Sequence, residues 1–286
     1  MRRSVISILA PRITLLGGQA FNWGLKGSWY TGFTQNEVIR LRYSTRTRQL
    51  FYMIFCPNLP ANDSSSKEPF SPATYFRTDV SYTKVLKSFN RDQNTAVAIK
   101  KYFGLRVLRQ DFEQTLLSYI LSSQNNIKRI RLIVRHISES LGTPVLSGTK
   151  TVHLFPSTAS IANSSISILK NAGCGFRAKY IRTSARMLLD TELTRKISKY
   201  HEEKAREALL EFPGVGEKIA DCSMLYGLGF DNVMPMDVWC KRVLTDLYGL
   251  NAKMKYKDMR LWAEEYFGPY AGWAGQFLFE YLRNHR

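Results

Sequence analysis

Four consecutive residues, Pro213, Gly214, Val215 and Gly216, constrain this chain more than any others. They interrupt two stretches with helical apolar spacing, "EEKAREALLEF" before and "EKIADCSMLY" after. Neither a proline nor a pair of glycines favours a continuing helix, so the chain must turn and start again. The spacing suits two helices joined by a tight hairpin. Backbone N–H groups exposed at such a turn and helix start can hold a phosphate. A plain interhelical turn fits the same four residues, so the wider chain has to decide.

Charge favours the first reading. Lys and Arg outnumber Asp and Glu by 41 to 23 over 286 residues, giving a net charge of +18 and a pI near 9.8. Such an excess points to a polyanionic partner, nucleic acid before membrane. No apolar run approaches the roughly 20 residues that span a bilayer. The opening "MRRSVISILAPR" is too short in its apolar part, and lacks a clear cleavage site, for a signal peptide. Cys56, Cys174, Cys222 and Cys240 are widely spaced, with no CxxC pair for zinc or redox chemistry and no four-cysteine iron–sulfur loop. They read as small buried hydrophobes in a reducing intracellular compartment.

The apolar periodicity changes along the chain. Residues 13 to about 60 alternate aromatic and β-branched residues with Gly, Ser and Asn, which predicts several antiparallel strands. The stretch "PNLPANDSSSKEPFSP" predicts an exposed loop. From about residue 80 the spacing becomes helical. "DFEQTLLSYILSSQNNIKRIRLIVRHISESLG" predicts a helix capped by Asp111, a polar break and a second helix. Further helices are expected near 158–171, 177–190, 192–199, 202–211, 217–226, 238–247 and 257–266, with "FGPYAGWAGQFLFEYL" starting in a turn and ending as a helix. The expected fold class is α+β: a small antiparallel sheet domain over residues 1–85, then an all-helical body over 86–286.

Lys218 falls in the first turn of the helix after the hairpin, beside the positive end of the helix dipole. Alone, it reads as a solvated surface lysine. Packed near apolar neighbours such as Ile219, its ammonium form is disfavoured, which would leave an amine able to attack an electrophile and form a Schiff base. Nineteen residues later, in "VMPMDVWCKRVL", Asp237 precedes another helical run. It reads first as an N-cap, a role compatible with catalysis.

These residues carry a resemblance. "LLEFPGVGEKIADCSMLYGLGFDNVMPMDVW" resembles the helix-hairpin-helix and Gly/Pro-Asp signature of base-excision DNA glycosylases, whose bifunctional members carry a lysine in the hairpin. "GGQAFNW", "YFRTDVSYTKVL", "LRQDFEQTLLSYILSSQNNIKRI", "GFRAKYI" and "GPYAGWAGQFLF" are similar, in order, to the 8-oxoguanine DNA glycosylase branch. The resemblance covers most of the chain, including a sheet domain of the TBP-like kind. It implies that Lys218 attacks the sugar C1′ of a flipped-out nucleotide and that Asp237 stabilises the positive charge developing on the sugar. It further implies that the carbonyl of Gly18 accepts the hydrogen that oxidation adds at guanine N7, and that Cys222 and Phe279 sandwich the base.

By the same resemblance Gln124, Asn125 and Asn126 form the strand-insertion loop, Arg129 and Arg177 contact the orphaned cytosine, Phe176 is the wedge, and Gly214 and Gly216 grip the backbone. Residues 124–126 also fit a polar turn, and Phe176 a core position. Two positions depart from the family pattern. Gly275 stands where a base-reading glutamine is expected, with Gln276 one place later, and Trp239 stands where a phosphate-contacting histidine is expected. The implied partner is duplex DNA containing oxidised guanine, met by a monomer in a DNA-containing compartment, without a metal or redox cofactor. A glycosylase for other damaged purines and a non-catalytic DNA-binding module are the competing readings; the second leaves Lys218 and Asp237 without a role.

Overall fold

Residues 2–55 supply one antiparallel sheet in the computed structural model, which describes residues 1–57 and 70–284. Its strands are β1 (Arg2–Val5), β2 (Trp23–Lys26), β3 (Trp29–Phe33), β4 (Val38–Ser44) and β5 (Gln49–Phe55), in the order β1-β5-β4-β3-β2. The two-residue period of a strand sorts the side chains. Tyr30, Ile39, Leu41 and Leu50 point inward and are buried with Leu15, Phe76 and Leu108, while Arg40 and Arg42 alternate outward. The α+β reading holds: this sheet precedes a helical body.

Several elements depart from the sequence reading, among them the helix expected near 158–171, which is two, Thr158–Asn163 and Ile166–Leu169, with Ser165 capping the second. Ile13 to Leu16 are not a strand but part of a helix, Pro11–Leu16, with Pro11 in its first turn and Leu15 fully buried. The proline presets the helical φ, and a four-residue apolar run carries no period to separate strand from helix. β1 was not expected; it completes the sheet by pairing with β5 from Arg2↔Tyr52 to Val5↔Gln49. Inside the nominally helical part, β6 (Pro144–Ser147) and β7 (Lys150–His153) form a hairpin around Gly148, at φ +69°. Its Val145 buries against Val38 of the sheet. Most of the expected loop "PNLPANDSSSKEPFSP" lies outside the described residues. Its last two residues, Ser71 and Pro72, cap and open the short helix Pro72–Tyr75.

The helical body packs thirteen described α-helices around Trp273, Phe89, Phe212, Phe267 and Phe277, all almost fully buried. Tyr82–Phe89 is the first helix whose apolar face joins this core. Arg77 reaches from the N-terminal part to Asp231 through two hydrogen bonds of 2.9 Å, and Trp273 Nε1 donates to the same carboxylate at 3.1 Å. A bidentate guanidinium–carboxylate pair fixes direction as well as distance. It anchors the turn that leads to Asp237. No helix among the described residues is long and apolar enough to cross a membrane.

Candidate active site

The hairpin comes first, because it sets the height of Lys218. The helices Glu202–Leu210 and Glu217–Ser223 meet at Pro213–Gly216, as expected. Gly214 adopts φ +79°, and a Cβ there would lie 2.6 Å from the Tyr180 ring. Gly216 is the N-cap at φ −104°, and a Cβ there would meet open space. No side chain caps this helix, so its first-turn N–H groups stay available to an anion. One turn past Lys218, Asp221 is fully buried, accepting from Arg206 Nε at 2.9 Å and Tyr256 Oη at 2.7 Å. Burial raises the Asp221 carboxyl and Arg206 opposes that rise. Breaking one side of such a pair strands a charge in the interior, so this pair holds the helix in rotation.

The two glycines should therefore separate under substitution. Gly214→Ala meets both an unfavourable φ and the Tyr180 ring, and should lower stability by about 1–3 kcal/mol in thermal or urea melts. Gly216→Ala should cost no more than about 1 kcal/mol, the difference between the two residues as N-caps. Its effect should appear in DNA affinity, because the new methyl enters the space in front of the uncapped amides. Equal destabilisation by the two changes would remove this distinction.

Lys218 is half-buried at the edge of a cavity of about 680 Å³. Its Nζ donates to Ser122 Oγ at 2.9 Å and lies 5.3 Å from the centroid of the Tyr119 ring. Lys218 forms no ion pair among the described residues, so its amine is positioned without being tied to a carboxylate. Asp237 lines the same cavity and is also the N-cap of the helix Val238–Tyr248, accepting from Cys240 N at 2.8 Å. The cap and the site are thus one side chain. One carboxylate oxygen takes the N–H, and a carboxylate has further acceptor capacity.

Gly18, Asn125, Cys222, Gln276 and Phe279 line this cavity too. Gly18 adopts φ +113°, and a Cβ there would press to 2.7 Å from Ile127. The next residue locks the turn in place. Gln19 is fully buried, and its amide bridges the backbone of Arg106 and Leu108 at 2.9 Å each. Burial pushes the Cys222 thiol up to about 12, with Lys218 pulling the other way. It stays a protonated, polarisable wall rather than a nucleophile. The Phe279 ring carries the Arg283 guanidinium 4.8 Å from its centroid.

The two departures from the expected pattern have structural counterparts. A Cβ on Gly275 would meet the Met234 side chain at 2.8 Å, so a larger residue there needs Met234 to move. Gln276 is buried, its Oε1 accepts from Tyr226 Oη at 2.7 Å, and its Nε2 has no partner. A buried donor left unpaired costs free energy, and this one belongs to a side chain that lines the cavity. Trp239 lines the cavity and cannot carry the charge of a histidine, but Arg242 rests 5.2 Å from its ring centroid.

Asn125 and Asn126 stand at the cavity wall, and Gln124, Arg129, Phe176 and Arg177 gather beside it. Asn125 and Asn126 serve their own loop: Asn125 Nδ2 donates to Leu121 O at 3.1 Å, and Asn126 caps the helix Ile127–Leu141 through Arg129 N at 3.0 Å. Gln124 is exposed at φ +48°, a conformation uncommon outside glycine. Arg177 is buried, and donates to the carbonyls of Ser123 and Gln124, the latter at 3.2 Å. In this state it braces the loop. Arg129 remains exposed. Phe176 is 54% exposed, so it is not a core residue; it sits 4.3 Å from the Arg177 guanidinium and edge-on to Tyr180, which backs Gly214.

Sequence reasoning gave no role to Ser122, Tyr119 or Tyr226. Tyr119 and Tyr226 stack at 5.7 Å with planes 9° apart, forming a cavity wall behind the amine. Among the cysteines, Cys174, Cys222 and Cys240 are buried as expected, but Cys56 is exposed, just past the end of β5, where no core covers it.

Residues 5–116 match the 8-oxoguanine DNA glycosylase N-terminal domain, and residues 117–269 match the HhH-GPD superfamily base excision DNA repair proteins. The chain is 32% identical over 241 residues to an N-glycosylase/DNA lyase of Saccharomyces cerevisiae, covering 72% of this chain and 64% of that protein. It is 30% identical over 283 residues to an N-glycosylase/DNA lyase of Arabidopsis thaliana, covering 93% and 75%. Among solved structures, the Clostridium acetobutylicum 8-oxoguanine glycosylase/lyase, bound to duplex DNA with cytosine opposite 8-oxoguanine, superposes with a TM-score of 0.85. It is 26% identical, covering 96% of this chain and 92% of that one. The chain therefore belongs to the HhH-GPD superfamily of base excision DNA repair proteins, in the 8-oxoguanine DNA glycosylase family.

Proposed function

We propose that this chain excises 8-oxoguanine from duplex DNA and then cleaves the strand, with Lys218 as the nucleophile for both steps. The supporting observation is the amine itself, half-buried at a cavity wall, held by Ser122 and Tyr119 and free of any carboxylate partner among the described residues. The lesion has to leave the base stack to reach such a cavity. Lys218 Nζ then attacks C1′, the glycosidic C–N bond breaks, and its electron pair leaves with the base. Loss of the amine proton and opening of the sugar give a Schiff base. Removal of a C2′ proton then expels the 3′ phosphate by β-elimination.

Asp237 has the charge and position to stabilise the cationic sugar that forms as the base departs. Cys222 and Phe279 offer two apolar walls to the flipped base, and the Gly18 carbonyl an acceptor for the lesion's N7 hydrogen. Normal guanine would present a lone pair to that carbonyl instead, setting acceptor against acceptor, while the carbonyl keeps only its contact from Tyr119 Oη at 3.3 Å. Gln276 Nε2 is the donor suited to the O6 edge in place of a glutamine at 275. Outside the cavity, Gln124 fills the gap left in the duplex, Phe176 wedges beside it, Arg129 and Arg177 meet the orphaned cytosine, and Gly214 and Gly216 hold a phosphate. The protein acts as a monomer where DNA is present.

The test is a borohydride trap. With a duplex carrying 8-oxoguanine opposite cytosine, reduction should yield a stable covalent protein–DNA adduct. Tight binding with no adduct would favour a DNA-binding module. Adducts with other damaged purines alone would move the substrate assignment.

A further inference from the structure

The outer face of the sheet carries a row of side chains that the lesion chemistry does not use. Across β1, β5, β4, β3 and β2 the row reads Arg3, Phe51, Arg42, Trp29 and Lys26. In register, Arg3 stands opposite Phe51, Phe51 opposite Arg42, and Lys26 opposite Trp29. The Arg3 guanidinium lies 5.5 Å from the Phe51 centroid. Arg42 is shared between Phe51 at 5.2 Å and Trp29 at 5.1 Å, and Arg40 reaches Trp29 at 5.3 Å. Arg3, Arg42 and Lys26 are exposed. Five strands set about 4.8 Å apart make this a rigid line of alternating cations and rings roughly 19 Å long.

Among the described residues, no acid of the sheet stands on this face. The first 57 residues contain eight Arg and Lys and a single acid, Glu37. That carboxylate is buried and accepts from Phe70 N at 2.8 Å. Lys150, at the start of β7, is pushed below the ordinary lysine range by the neighbouring Lys26 amine. Cations crowded across neighbouring strands repel one another, and a polyanion laid over them relieves that repulsion. A guanidinium held over a ring is already partly ordered and keeps N–H groups for a phosphate.

We infer that this sheet face is a second DNA contact, holding backbone phosphates of duplex outside the segment gripped at the cavity. The face is separate from the cavity, because strand alternation puts it opposite the side that buries Ile39, Leu41 and Leu50. Duplex DNA is the polyanion this family meets, and a rigid line of charge suits a rigid polyanion. The contact needs no lesion, so it stands or falls independently of the excision chemistry.

The experiment compares the full chain with Arg3→Gln/Arg40→Gln/Arg42→Gln and with a matched control, Lys84→Gln/Lys87→Gln/Lys100→Gln. These control positions are exposed on two helices of the body. Affinity for long, lesion-free duplex is measured against salt. Each phosphate contact contributes about 0.9 to the slope of log affinity against log salt. The sheet variant should therefore lose about two to three from that slope, while the control loses clearly less. Trapping on a short lesion duplex should be unchanged in both. An unaltered slope, an equal fall in the control, or sheet-dependent binding to anionic phospholipid vesicles but not to DNA would each overturn the inference. Absence of trapping in every protein would instead count against the proposed excision chemistry and leave this measurement intact.

Discussion

Lys218→Gln should abolish covalent trapping on an 8-oxoguanine duplex and lower strand cleavage by at least about 10³-fold, the scale expected when a nucleophile is removed. Glutamine suits the test because it approximates the reach of lysine and can still donate to Ser122 Oγ, which Nζ meets at 2.9 Å. The side chain is half-buried rather than packed in the core, so melting temperature should change little. DNA affinity should also survive, since the hairpin amides and the rim residues are untouched. Trapping, cleavage on a denaturing gel, and a binding titration separate these effects. Persistence of a reducible adduct at an unchanged rate would show that another amine does the chemistry. A parallel loss of folding would make the substitution uninformative about mechanism, and the unchanged melting curve guards against that.

Ser122 shows why part of the site was not legible in the sequence. The quoted stretch "SSQNN" contains it, yet its hydroxyl meets an amine 96 residues away, and no local pattern encodes that meeting. Tyr119 and Tyr226 look in sequence like two apolar helix positions; only the fold stacks them behind Lys218. What was legible follows local physics. Pro213–Gly216 forces a hairpin, Asp237 caps a helix, and the break before Ile127 is closed by Asn126 acting as a cap. The misreadings follow the same logic. The run Ile13–Leu16 is too short to show a period, and β1 opens with two exposed arginines where an inner strand would carry apolar residues. Arg177 was read from the family pattern as reaching the orphaned base. Its place beneath Ser123 and Gln124 shows a prior job, holding the loop that carries Gln124 outward.

Asp237→Asn divides the two duties of that side chain. The cap requires only an oxygen that accepts from Cys240 N, now at 2.8 Å, and asparagine caps helices about as well as aspartate. Stability should therefore move by less than about 0.5 kcal/mol. Catalysis requires the negative charge. The reach of that charge is visible in its neighbours: burial raises the Cys222 and Cys240 thiols, and Asp237 adds to the rise in each. A carboxylate felt by thiols lining the cavity is also felt by a sugar that becomes cationic there. Losing it should cost about 10²- to 10³-fold in turnover, the usual scale for one preorganised electrostatic partner of a transition state, with DNA affinity largely retained. Asp237→Ala provides the contrast, since it removes both oxygens and should add about 1 kcal/mol of destabilisation. Single-turnover excision and urea melts on the two variants together decide the matter. Equal turnover in Asp237→Asn and the unsubstituted protein would leave Asp237 a cap and nothing more.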